Sequence, residues 1–187
     1  MSDFRLPRWA PWPIGVGLVV VAWFVALVTP GEDQAQAPFH VTAAVGEPAT
    51  GRNLDVTVTD IRRASEVSAG GWSAEGNWLV VNLAAASVLS ESGAQLAHVE
   101  LVVDGVRYRA SERPDSLLQQ QLAAGIAQSG SVAFELPVGI TEGDAVLELA
   151  LEGVDTRLDS MILVPFDLAE VTDAGATELA ATEWAQP

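Results

Sequence analysis

Residues 97–110 read AHVELVVDGVRYRA, and this stretch decides the fold class. Val99, Leu101 and Val103 alternate with other residues, and alternation with a period of two is the pattern of a half-buried β-strand. Asp104-Gly105 then offers the two residues with positive φ that a tight hairpin turn requires. Because the alternation resumes at Val106, the stretch predicts a two-stranded β-hairpin.

The same pattern extends on both sides of this hairpin. Residues 53–60 (NLDVTVTD) place Leu54, Val56 and Val58 on one face, and residues 77–88 (NWLVVNLAAASV) are apolar on both faces, as a central strand is. Further strands are predicted at 39–45, 131–136, 145–151 and 160–166, and one or two helical turns at 115–124. We therefore predict that residues 39–168 form an all-β, immunoglobulin-like β-sandwich of about seven or eight strands.

Four stretches resemble a known family. They are residues 53–60, 76–83 (GNWLVVNL), 99–108 (VELVVDGVRY) and 125–137 (GIAQSGSVAFELP). Together they resemble the telokin-like, immunoglobulin-like domains of unknown function found on bacterial surface proteins. The resemblance implies an extracytoplasmic location and no established catalytic residues, so it transfers no site. Two departures are a longer segment from Ala84 to Gly93 after the central strand and the lack of a lipid-anchoring cysteine.

Residues 10–29 contain no charged side chain and include the apolar run IGVGLVVVAWFVALV. A helix of this length spans about 30 Å, the thickness of a bilayer core, so we predict a single transmembrane helix. Arg5 and Arg8 precede it and Glu32 and Asp33 follow it, which places residues 1–9 in the cytoplasm and the bulk of the chain outside the cell membrane. Residues 30–38 are predicted to be a linker.

A cleaved signal peptide is the alternative interpretation of this segment. Ala35-Gln36-Ala37 resembles a cleavage site. The site lies far beyond the apolar run, and Pro38 would occupy the first mature position, where its ring disfavours cleavage. A retained anchor is therefore the favoured interpretation.

The charge is strongly acidic, with 25 Asp and Glu against 9 basic residues, all of them Arg, and a net charge of −16. Such a surface repels nucleic acid, which we exclude as a partner. The absence of cysteine excludes disulfides and thiolate metal sites.

Few residues indicate chemistry. His98 and Glu100 share the polar face of one strand, but two ligands are too few to define a metal site, and His40 stands apart. Glu142 with Asp144, and Asp155 with Asp159, are clustered acids that calcium could use, yet they read better as solvated turn residues. We predict no catalytic residues, no cofactor and no metal.

Two tryptophans are candidate contact residues. Trp72 follows Gly70-Gly71 in a predicted loop over 65–76, and exposed tryptophan is a frequent binding anchor. Burial as a lid over the sandwich is the other interpretation of Trp72. Trp184 lies in the acidic stretch 169–187, which is predicted to be a mobile tail.

These observations predict a membrane-anchored, extracytoplasmic binding module without catalytic activity. Its partner would be a protein or a cell-envelope component, contacted by loops 65–76, 89–93 and 139–144 at one end of the sandwich. The alternative is an accessory subunit of a membrane transport or secretion complex that acts through its transmembrane helix, where Gly15 and Gly17 would permit close packing. An enzyme is a third hypothesis.

Overall fold

A computed structural model describes residues 11–28, 38–89, 94–152 and 160–185. The chain divides into two compact units, residues 1–37 and 38–187. The described part of the first unit, residues 11–28, is the helix α1 (Pro11–Val28). The predicted cytoplasmic segment 1–9 and nearly all of the predicted linker 30–38 lie outside the described residues.

Helix α1 falls within the segment predicted to cross the membrane. It extends over 18 residues, whereas the prediction covered positions 10–29. Among the residues that the structure describes, no helix is both long and apolar enough to cross a membrane.

The second unit is a β-sandwich, as predicted, and its two sheets contain twelve strands within the residues that the structure describes. Sheet A has the order β1-β9-β8-β5-β6, and sheet B has the order β10-β3-β4-β7-β12, with β2 and β11 also paired to β3. The strands are β1 (Phe39–Thr42), β2 (Pro48–Thr50), β3 (Leu54–Ala69), β4 (Trp72–Ser87), β5 (Gln95–Val103), β6 (Val106–Arg109), β7 (Gln128–Leu136), β8 (Asp144–Glu152), β9 (Ser160–Asp167), β10 (Thr172–Asp173), β11 (Ala176–Glu178) and β12 (Glu183–Trp184).

The main core lies between the two sheets. Alternate residues of each strand point inward, because successive side chains of a strand face opposite sides of the sheet. The predicted inward set of β3, Leu54, Val56 and Val58, is buried, as are Val99, Leu101 and Val103 of β5. The opposite faces of both sheets are left for other contacts.

Two tight hairpins shape the sandwich. Asp104 and Gly105 connect β5 and β6 with φ values of 48° and 82°, so the predicted hairpin is present. Gly70 and Gly71 connect β3 and β4 with φ values of 54° and 85°. Positive φ at both central residues is the geometry that matches strand twist in a two-residue turn. The prediction of a loop over residues 65–76 is therefore wrong, because these residues form the outer half of the long β3–β4 hairpin.

The predicted helical turns at 115–124 do not form. The backbone N–H groups of Gln119 and Leu122 instead donate to the carbonyl oxygens of Leu96 and Ala94. Gln119 has φ of 61°, which interrupts a right-handed helix. Pairing with the start of β5 and with the residue before it thus prevails over the local helical pattern.

Within residues 169–185, part of the predicted mobile tail 169–187, the chain instead forms short strands that pair with the sandwich. A 3-10 turn (Leu168–Glu170) leads into β10 and β11, which pair in parallel with β3, and β12 then pairs antiparallel with β7. Residues 172–185, which we name the C-terminal strap, therefore cross sheet B from one edge to the other. Edge strands supply the unpaired backbone groups that order this polar segment.

Candidate functional site

The outer face of sheet A carries a charged cluster of five side chains, His98, Glu100, Arg107, Arg109 and Glu148. His98 and Glu100 face outward because their neighbours Val99 and Leu101 point into the core. Glu148 on β8 pairs directly with Glu100, and Arg109 on β6 pairs with Glu100 from the other side. Strand register thus brings together residues that are far apart in sequence.

Arg107 bridges the two carboxylates of the charged cluster. Its Nη1 lies 3.0 Å from Glu100 Oε2 and also donates to Glu148 Oε2, while its Nη2 lies 3.3 Å from Glu148 Oε1. Arg109 Nε adds a bond of 3.2 Å to Glu100 Oε1. The carboxylates are nearly buried, with exposed side-chain fractions of 13% and 12%, whereas that of Arg107 is 56%.

These contacts shift two protonation equilibria. Burial raises the pKa of Glu100, but the hydrogen bonds from Arg107 and Arg109 and the charge of His98 together lower it below its ordinary value. The hydrogen bonds to Glu148 and Glu100 raise the pKa of Arg107. The two carboxylates and the two guanidinium groups of the charged cluster are balanced in charge.

His98 is the member of the charged cluster that these bonds leave out. Its Nε2 is buried and has no hydrogen-bond partner, and Glu148 Oε2 lies 3.8 Å away. One ligand atom each from His98, Glu100 and Glu148 lies within 4.8 Å of the others. Among the described residues, this is the one group of three side chains that could hold a metal ion together.

The sequence indicated part of this site. The sequence places His98 and Glu100 on one face of a strand, but it does not connect Glu148 to them, because that neighbourhood depends on the β5–β8 register. The available signal was a single carboxylate among the apolar residues of 145–151 (AVLELAL). Of the acids considered as calcium ligands, Glu142 is exposed, and Asp144 begins β8 and pairs with Asp167 of β9. Asp155 and Asp159 lie outside the described residues.

Trp72 does not lie in a loop but at the start of β4, on the outer face of sheet B. Its ring meets that of Trp78 edge to face at 6.0 Å. The guanidinium carbon of Arg113 lies 5.2 Å from the centre of the Trp72 ring and 5.8 Å from that of Trp78. Such a cation–π contact fixes an aromatic side chain in place. Trp72 is therefore a partly buried residue that one arginine holds.

A second apolar cluster explains this placement. It includes Trp78, Val80 and Ala133 on the outer face of sheet B, and Leu179 of the C-terminal strap packs onto it. The N–H of Ala180 donates to Ser131 Oγ at 2.8 Å and fastens the strap there. Trp184, the other predicted contact residue, lies in β12 against Gln128 with 48% of its surface exposed.

The outer half of the β3–β4 hairpin leaves one backbone edge open. β7 pairs with β4 from Asn77 onward, and in the described part of the chain no strand pairs with residues 72–76 on the side away from β3. Asn77 Nδ2 donates to the carbonyl oxygens of Pro137 and Ile140, both at 2.9 Å, which ties the loop 137–143 to this edge. We name the open edge and this loop the hairpin end.

An open groove of about 330 Å³ lies at the hairpin end. Val138 at its rim is 96% exposed. The groove brings together positions from two of the predicted contact loops, 65–76 and 139–144. The third, 89–93, follows the end of β4 that lies beside Asn53, at the opposite end of sheet B, and most of it is outside the described residues. The lining residues are Arg63, Ala64, Ser65, Gly76, Asn77, Val138, Gly139, Thr141 and Asp173.

Comparison with known proteins adds one structural neighbour. No family model matches the chain, and no curated protein matches it either. An uncharacterized β-sandwich protein from Clostridium difficile 630 is similar in structure, with 10% sequence identity and a TM-score of 0.44. The similarity covers 74% of this chain and 99% of that one.

Proposed function

We propose that the sandwich is a non-catalytic binding module, held at the outer face of a cell membrane by its N-terminal segment, and that it contacts a protein partner through the hairpin end. The observation that carries this proposal is the combination of an open strand edge with a groove at Gly76. An extended segment of a partner can add to such an edge through main-chain hydrogen bonds. The groove beside it would then take an apolar side chain.

The exposed side chains at the hairpin end support a protein rather than a sugar as the partner. Val138 presents its side chain to solvent, and an isolated valine makes no directional bond to a polyhydroxylated ligand. Arg63 and Asp173 supply one charge of each sign at the groove, as the polar rim of a protein interface does. A cell-envelope component is the alternative outcome of the test below.

Crosslinking of the full-length protein in cells, followed by purification and mass spectrometry, tests the contact surface. We expect Val138→Asp to reduce recovery of the partner at least tenfold, because the charge would enter the interface core. Leu89→Asp is the matched control, since Leu89 is also exposed but lies at the opposite end of sheet B. Equal recovery with both variants would contradict the proposed surface.

The anchor is proposed from the sequence and from the surface of α1. Val19, Val20 and Val21 are consecutive and exposed, so apolar side chains point in several directions around the helix. Exposure of this kind to water is unfavourable, and a lipid environment would remove it. We expect the full-length protein to stay in the membrane pellet after alkaline extraction. Release of a chain that begins at Pro38 would instead establish the signal-peptide alternative.

We further propose that the sandwich is of the immunoglobulin type, in line with the telokin-like resemblance. The strand order supports this interpretation. β3, β4 and β7 correspond in order to strands A, B and E of one immunoglobulin sheet, and β5, β8 and β9 to strands C, F and G of the other.

A second candidate function is an accessory subunit of a membrane transport or secretion complex that acts through the helix. Gly15 has no atom within 4 Å of the position that a side chain would take, and it opens a shallow apolar groove beside Trp12, Val16 and Val19. Small residues of this kind let another helix approach closely. Replacing α1 with an unrelated apolar helix discriminates the two: partner recovery would persist for a tethered module and fail for such a subunit.

A further inference from the structure

We propose that His98, Glu100 and Glu148 form a site for a divalent transition-metal ion such as Zn²⁺, and that Arg107 occupies this site as an internal competitor in the metal-free protein. The proposal is independent of the binding surface at the hairpin end. It rests on the ligand geometry, on the unpartnered nitrogen of His98 and on the exposure of Arg107.

The strand register supplies the ligand geometry. Glu100 and Glu148 are directly paired across β5 and β8, and His98 lies two residues along β5 on the same face. Their ligand atoms already lie within 4.8 Å of one another. Zinc bonds of about 2.0–2.2 Å place tetrahedral ligands roughly 3.4 Å apart. Rotation of these side chains that moves each ligand atom by about 1 Å would therefore close the site without a change in the backbone.

His98 provides the independent indication of a ligand. Its Nε2 is buried without a hydrogen-bond partner, although a buried polar atom is normally satisfied. Arg107 donates hydrogen bonds to both carboxylates but makes none with His98 Nε2. A metal ion would satisfy all three side chains at once, since imidazole nitrogen and carboxylate oxygen are both zinc ligands.

Arg107 is the component that can leave. More than half of its side chain is exposed, so its guanidinium can move into water, whereas the carboxylates are held nearly buried on the sheet. A divalent ion would neutralise both carboxylates by itself. Calcium and magnesium are disfavoured, because they require six or more ligands and prefer oxygen to nitrogen.

Titration of the full-length protein with Zn²⁺ by isothermal calorimetry tests the proposal, with His98→Ala and His40→Ala as a matched pair. These are the only two histidines of the chain, and His40 is exposed on β1. We expect one zinc ion to bind the unsubstituted protein and H40A alike, and His98→Ala to weaken binding at least tenfold. Equal affinity for H98A and H40A would show diffuse binding to surface carboxylates and would overturn the proposal.

Arg107→Gln tests the role of the competitor. Removing a partly exposed arginine from the two carboxylates should tighten zinc binding by about five- to tenfold, because the metal no longer displaces a cation. A metal-dependent rise in melting temperature should accompany it, larger in R107Q than in the unsubstituted protein. Unchanged or weaker binding by R107Q would mean that Arg107 does not occupy a metal position.

Discussion

At the scale of single residues, the charged cluster couples protonation to stability. The pKa of Glu100 is lowered in the folded protein, so its ionised form stabilises the fold above the pKa of an unfolded glutamate, and this contribution is lost as pH falls through the lower folded value. We expect Arg107→Gln to reduce the free energy of unfolding at pH 7 by about 1 kcal/mol, after allowance for solvent screening of an exposed arginine.

Urea unfolding at pH 7 and pH 3 measures this effect. The difference between R107Q and the unsubstituted protein should shrink at the lower pH, because the contribution of Glu100 is lost as pH falls through its lowered folded pKa. Adding Glu100→Gln to both proteins should remove most of the pH dependence. A difference that is the same at both pH values would assign the effect of Arg107 to packing.

Alanine substitutions at two glycines of the loop between β7 and β8 distinguish the effect of backbone strain from that of a steric clash. Gly139 and Gly143 both have positive φ, of 103° and 127°. A Cβ on Gly143 would overlap the carboxylate of Asp104, which accepts the N–H of Asp144 at 3.2 Å, whereas a Cβ on Gly139 meets nothing within 4 Å. We expect Gly143→Ala to destabilise by about 1–2 kcal/mol more than Gly139→Ala in thermal unfolding. Equal losses would show that φ alone limits both positions.

At the scale of elements, the C-terminal strap depends on one apolar side chain. Leu179 is buried on the outer face of sheet B, while its neighbour Glu178 is exposed. We expect Leu179→Ala to cost about 2–3 kcal/mol and Glu178→Ala less than about 0.5 kcal/mol in urea unfolding. Faster proteolysis after the 3-10 turn in L179A alone would show that the strap has detached. Comparable losses for both variants would show that backbone pairing, and not Leu179, holds it.

The C-terminal strap and the long β3–β4 hairpin could not be predicted from the sequence. Alternation at Val99, Leu101 and Val103 indicates burial on one face of a strand, and the structure confirms that prediction. The contacts on the outer faces of the sheets could not be predicted, because they depend on pairing between strands that are far apart in the sequence. Leu179 lies within the acidic stretch 169–187 that is predicted to be a mobile tail, and Gly70-Gly71 lies within the predicted loop 65–76. The positive φ values of that pair instead place Trp72 directly in a strand, beneath Arg113.

At the scale of the whole molecule, the buried apolar residues among the described positions all lie at or beyond Ala43. The core of the sandwich is therefore complete within residues 38–187. We expect this fragment to unfold in one cooperative transition, with a melting temperature within about 2 °C of that of the sandwich in the full-length chain. A lower melting temperature measured by calorimetry would show that the N-terminal unit contributes to its stability.

The parallel pairing of β1 with β9 has a consequence for synthesis. Phe39 pairs with Ser160, and the strap that covers Trp78 follows later still. The first strand therefore cannot pair with its neighbour until β9 has been synthesised, and until then sheet edges and the outer face around Trp78 stay uncovered. Pairing over such separations is slow. The nascent protein is consequently most prone to aggregate before β9 and the C-terminal strap are in place, when a chaperone would be most useful.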